Sequence, residues 1–116
     1  MDTIFIKWIE TQSKEFFNPE VDIYEVTRPD AGMENSRASI TNHTDSMIGE
    51  VIVWRNGILE LQVQSMNHSE SMLFEYHELD DTVCFNDILK NYREALVSGS
   101  LKFTTLRKLN YDPSNI

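Results

Sequence analysis

Asn56-Gly57 constrains this chain most, because it sits between two β-rich runs that together span Gly49 to Gln64. Asn and Gly accept positive φ at low cost, so the pair suits the type I′ loop that joins two strands without opposing their twist. A two-residue loop fixes the register. It predicts Trp54 opposite Leu59, Ile52 opposite Leu61 and Glu50 opposite Val63 on one face. That face, with Trp54, Ile52, Leu59 and Leu61, is the expected core face. The other carries Arg55, Val53, Val51 and Gly49 against Ile58, Glu60, Gln62 and Gln64, a mixed surface open to water.

The neighbouring segments extend this hairpin into an α+β domain: an antiparallel sheet of four to six strands with flanking N-terminal and C-terminal helices. Asp2 to Phe17 places Ile4, Phe5, Trp8, Ile9 and Phe16 at helical spacing, with Asp2 as a candidate N-cap. Asn18-Pro19 ends that helix, since proline pushes the preceding residue out of the α region. Val21 to Thr27 alternates as a strand, Arg28 to Gly32 reads as a turn, and Arg37 to Asn42 gives a second strand before the polar stretch His43 to Ser46. After the loop Ser65 to Ser71, Met72, Phe74 and Tyr76 alternate with Leu73, Glu75 and His77, and the first three are expected to point inward. Asp80-Asp81 then opens a helix whose Cys84, Phe85, Ile88, Leu89, Tyr92 and Leu96 share a face, ending near Gly99. The segment from Leu101 to Leu109 suits a short helix or an added strand. Tyr111 to Ile116 reads as a disordered end.

A length of 116 residues suits one domain, 1–116, with its core in 1–98 and a tail in 99–116. At this size roughly two thirds of the unfolded surface is buried, so folding needs no staples. The single cysteine, Cys84, excludes an internal disulfide framework, and no signal-peptide pattern or long apolar window is present. A reducing, cytoplasmic location is expected.

Nineteen Asp and Glu against ten Lys and Arg give a formal net charge of −9. Such a field repels phosphate backbones and anionic lipid, which argues against direct nucleic-acid or membrane binding. Between Asn56 and Leu89 the acids Glu60, Glu70, Glu75, Glu78, Asp80, Asp81 and Asp87 occur with no Lys or Arg. Beyond it Lys90, Arg93, Lys102, Arg107 and Lys108 meet only Glu94 before Asp112. The plain explanation is a solvated acidic surface. The functional one is a docking surface for a basic partner, in which Glu60, Glu70, Glu75, Glu78, Asp80 and Asp81 are the candidate contacts and Glu60 and Glu75 are expected on the outer face of the sheet.

Chemistry-bearing patterns are missing. His43, His68, His77 and Cys84 lack paired metal-ligand spacing, so no metal or other cofactor is expected. Neither GxSxG, a P-loop nor GxGxxG occurs, which removes the familiar nucleophile and nucleotide sites and any obvious small-molecule substrate. Glu60 and Glu75 on adjacent strands would be the one conceivable acid/base pair. Cys84 reads as a buried structural thiol, and Trp8 and Trp54 as core residues more than as exposed anchors. Asn42-His43-Thr44 and Asn67-His68-Ser69 fit the glycosylation pattern by coincidence. No enzyme is expected.

Ile48 to Val63 (IGEVIVWRNGILELQV), the strand Leu73 to Leu79 (LFEYHEL), the second helix and the Trp8-containing first helix together resemble the TriTu-type immunity proteins of bacterial contact-dependent growth inhibition. Gly49, Val51, Trp54, Gly57, Glu60 and Val63 carry the resemblance best, which spans residues 1–98. It implies a cytoplasmic antidote that binds the C-terminal toxin domain of a CdiA-type effector, a transfer-RNA-cleaving nuclease that exploits elongation factor Tu. A basic nuclease and an acidic inhibitor are complementary in charge. The alternative reading is a small acidic secretion chaperone that holds an effector segment.

Overall fold

The computed structural model describes residues 1–67, 71–99 and 106–108, with side chains excepted at 71, 72 and 106–108. A near-continuous N-terminal helical segment leads the chain: α1 (Asp2–Trp8), a π-helical turn (Ile9–Ser13) and α2 (Lys14–Phe17). It stops where expected, with Asn18 extended at ψ 151° before Pro19. Then come β1 (Asp22–Thr27), β2 (Arg37–His43), β3 (Met47–Trp54), β4 (Ile58–Ser65) and β5 (Ser71–Glu78). Two short helices follow, α3 (Phe85–Ile88) and α4 (Lys90–Ser98), with Gly99 closing α4. Leu106–Lys108 forms β6. This is the expected α+β fold, built on five antiparallel strands in chain order, with β6 added in parallel beside β5. Glu70, Leu101 to Thr105 and Tyr111 to Ile116, on which sequence expectations also fell, lie outside the described residues.

The hairpin forms where Asn56-Gly57 placed it, but its register differs by one residue. Gly57 N–H donates to Trp54 O at 3.0 Å, and Gly57 has φ 95°. The connection is therefore a three-residue loop, Arg55 to Gly57: one turn of the chain followed by a residue in the positive-φ region. Val53 consequently pairs with Leu59, Val51 with Leu61 and Gly49 with Val63. A one-residue slip moves a strand's whole side-chain set to the other face. Val51 and Val53 face the core, whereas Trp54 and Ile52 are half-buried on the opposite face. The expectation of a shared buried face for Trp54, Ile52, Leu59 and Leu61 is thus corrected for its two β3 members. The same parity reversal holds in β5. Leu73, Glu75 and His77 point inward, while Phe74 and Tyr76 are half-buried on the other side. The side chain of Met72 lies outside the described set.

The described helices cover one face of the sheet. α1 packs on β2 and β3, α2 on β1, and α4 on β3, β4 and β5. Between the layers lie Phe5, Trp8, Phe17, Phe85 and Tyr92 above Ala38, Ile40, Val51, Val53, Leu59, Leu61, Val63 and Leu73. Trp8 is buried as expected; its ring stacks beside Phe5 at 5.9 Å, and its Nε1 donates to Asn86 Oδ1 at 2.7 Å. Ile4, by contrast, is exposed. Asp2 is buried as the first residue of α1 rather than its N-cap, which is Met1, and it accepts hydrogen bonds from Ser36 Oγ and from the Thr3 amide. Cys84 is exposed, because the helix begins after it and Cys84 itself is the extended N-cap residue of α3. The buried-thiol expectation is corrected on that ground. Asp80-Asp81 does not cap this helix directly: Asp80 Oδ1 accepts from the amide and hydroxyl of Thr82, closing a turn ahead of it.

Tyr92 locks α4 to the sheet. Its hydroxyl donates to Asn42 Oδ1 at 2.8 Å, and Asn42 Nδ2 donates to Asp22 O at 3.2 Å. The ring lies directly over Gly49, where a Cβ would meet ring atoms at 2.7–3.0 Å. Burial and the nearby Glu50 carboxylate hold the phenol well above its ordinary value.

Candidate protein-docking surface

The face of the sheet turned away from the helices has no covering element among the described residues. Strand alternation and register put four rows of side chains on it. Arg37, Trp54, Ile58 and Glu78 form one row, and Ser39, Ile52, Glu60 and Tyr76 the next. Thr41, Glu50, Gln62 and Phe74 form the third, followed by His43, Ile48 and Gln64. β1 adds Glu25 opposite Thr41 and Asp22 opposite His43, and Tyr24 lies edge-on to the His43 ring at 5.8 Å. The apolar residues are thus concentrated on β3 and β5. Acids surround them, and within β1–β5 Arg37 is the only Arg or Lys in these rows, while the register of β6 sets Lys108 beside Tyr76.

Two adjoining hollows indent the centre. One, of about 200 Å³, is lined by Glu50, Ile52, Glu60, Gln62 and Phe74; the other, of about 250 Å³, by Thr41, Ile48, Glu50 and Gln64. Glu50 and Glu60 are diagonal neighbours across β3 and β4, since Glu50 faces Gln62 and Ile52 faces Glu60. Diagonal positions stand roughly 7–8 Å apart, within reach of long side chains, so one cation entering between them can meet both carboxylates.

The acids singled out in the sequence are dispersed by the fold. Glu60 lies half-buried on the open face, and Glu78 is exposed at its end on β5. Asp80 and Asp81 are exposed in the following turn, where the Thr82 hydroxyl, and then its amide, hold Asp80 below the usual carboxylate range. Glu75 is not on the outer face. It is fully buried on the helix side, with Oε1 at 2.9 Å from His77 Nε2 and Oε2 accepting from Asn91 Nδ2 at 3.3 Å. Being on opposite faces of the sheet, Glu60 and Glu75 make no acid/base pair. The acids that sequence reasoning missed are Asp22, Glu25 and Glu50, because they lie outside the uninterrupted acidic stretch.

A broad, acidic and aromatic sheet face that the described residues leave open is suited to contact with another macromolecule. Which one is a question for comparison with known proteins. The sequence pattern of a family described as Immunity protein TriTu matches residues 3–95. The chain belongs to the TriTu immunity family. The match includes all of β1–β5 and stops within α4, close to the limits the resemblance suggested. Comparison with curated proteins gives no match, and neither does comparison with solved structures. Immunity proteins act by neutralising a toxin, and as a class they do so without catalysing a reaction. For this TriTu protein a cognate toxin is therefore the partner that an exposed docking face would serve. No helix among the described residues is long and apolar enough to cross a membrane.

Proposed function

We propose that this TriTu protein is the cytoplasmic antidote to a CdiA-type effector of contact-dependent growth inhibition. Its target is the effector's C-terminal toxin domain, a transfer-RNA-cleaving nuclease that works with elongation factor Tu. The observation that carries this reading is the family match over residues 3–95, which also favours an antidote over a secretion chaperone. Charge supports it independently. A nuclease must attract phosphate, and a chain of net charge −9 complements the basic surface this requires. The antidote acts by occupying the toxin, with no cofactor, no enzymatic step and no direct contact to nucleic acid or membrane. Blocking the nuclease centre or the surface that engages transfer RNA or elongation factor Tu would inhibit equally.

Among the acids first considered, Glu60, Glu70, Glu78, Asp80 and Asp81 stay as proposed contacts, while burial removes Glu75. The test has two arms. Cells expressing this protein should survive induction of the toxin domain encoded upstream of it. Purified toxin given transfer RNA and elongation factor Tu should lose cleavage at one equivalent of antidote. Unchanged killing and unchanged cleavage would overturn the assignment.

A further inference from the structure

We infer that the open sheet face is the toxin-binding surface, with Ile52, Trp54, Phe74 and Tyr76 as its apolar centre and Glu50 and Glu60 as its principal charges. The inference rests on the immunity reading and goes further by naming where, and with what chemistry, the partner is held. The occupant is a folded, basic protein surface whose arginine side chains enter the hollow between Glu50 and Glu60.

Three features of the face lead there. The face is broad: five strands at about 4.8 Å spacing and about seven residues per strand at 3.4 Å make a platform of roughly 20 by 24 Å. Its flat footprint of about 480 Å² supplies more than half of the roughly 800 Å² that one partner contributes to a stable complex, and the side-chain relief and strand edges add to it. Its composition resembles an interface centre, since aromatic groups supply most binding energy when water is excluded around them. Its charge selects the occupant. Within β1–β5, Asp22, Glu25, Glu50, Glu60 and Glu78 stand against Arg37, and even with Lys108 of β6 registered beside Tyr76 the acids prevail. A second copy of this chain would set those acids against themselves. A basic surface pairs with them, and a guanidinium whose stem lies along Ile52 and Phe74 reaches both central carboxylates.

The experiment measures binding of a catalytically disabled upstream-encoded toxin domain by calorimetry at low and high salt. Glu50→Gln combined with Glu60→Gln should weaken binding at least about tenfold at low salt, with the gap narrowing as salt rises. Glu15→Gln combined with Glu94→Gln, exposed on the helix layer, should change it by less than about twofold. Thermal midpoints establish that the variants fold. Hydroxyl-radical footprinting of the unmutated complex supplies a second readout. Trp54, Phe74 and Tyr76 should be protected from oxidation and Phe16, on the helix layer, should not. Wild-type affinity in the double variant, protection confined to the helix layer, or a free chain that dimerises through the open face would each overturn the surface. Intact protein that fails to bind at all would instead overturn the immunity reading beneath it.

Discussion

Tyr92 shows how one residue can hold two layers together, because its ring lies on Gly49 while its hydroxyl reaches Asn42. Gly49→Ala forces a methyl to within 2.7 Å of that ring, and overpacking of this kind costs about 1–3 kcal/mol in urea titration. Tyr92→Phe leaves Asn42 Oδ1 without its donor, at a cost of about 1–3 kcal/mol. Its pH signature is more specific. The folded phenol titrates well above the ordinary value of 10.0, so it keeps its proton where the unfolded chain releases one. Stability from this group is complete below pH 10 and falls as pH rises beyond it. The stability difference between the native chain and Tyr92→Phe should therefore shrink above pH 10, as read from chemical denaturation across pH 8–11. A constant difference would mean that Tyr92 is not shielded. At the same scale, Glu75 and His77 were not legible as inward residues. Hydropathy assigns acids and histidines to water; their mutual hydrogen bond, and that from Asn91 on α4 to Glu75, help to make burial tolerable.

The elements were largely legible, and the hairpin explains where legibility ended. Hydrophobic period gave both helical regions and the antiparallel meander, and Asn56-Gly57 gave the turn. Loop length was the weak link, since an Asn-Gly pair also fits a three-residue loop in which only Gly57 takes positive φ. β3 could not correct the error, because Val51 and Val53 alternate with the equally apolar Ile52 and Trp54. β4 could. Its alternation of Leu59, Leu61 and Val63 with Glu60, Gln62 and Gln64 is unambiguous, and the two-residue register put Glu50 opposite Val63 on the core face. The observed register pairs Glu50 with Gln62 and so removes that conflict. It follows that Leu61→Ala should cost about 2–5 kcal/mol, whereas Trp54→Ala, which removes a half-buried ring, should cost roughly 1–2 kcal/mol. Gly57→Ala, at φ 95° and with Leu79 O only 3.0 Å from the new Cβ, should cost about 1–2 kcal/mol. Denaturant midpoints in the reverse order for Leu61 and Trp54 would restore the two-residue loop.

For the whole molecule, the candidate site was only half visible in the sequence, for a reason tied to topology. An uninterrupted acidic stretch is a linear feature, whereas a sheet face samples every second residue of five strands. The fold sends Glu75 inward and brings in Asp22, Glu25 and Glu50 from strands outside that stretch. The same distribution gives salt two opposite effects. In the free chain the net charge of −9 acts as self-repulsion, which added ions screen. Between the chain and a basic toxin the charges attract across the approach distance, and the same ions screen that attraction within about 8–10 Å. Raising sodium chloride from about 20 mM to about 300 mM should therefore raise the thermal midpoint of the free protein while it slows association with the toxin, by tenfold or more when steering is strong. Scanning calorimetry and stopped-flow mixing over one salt series measure the two responses on one preparation. Dissociation should change far less, because the aromatic centre of the interface excludes ions once it has formed. An association rate indifferent to salt would separate the acidity of this chain from its recognition of the toxin, leaving the charge to solvation and the contact to Trp54, Phe74 and their neighbours.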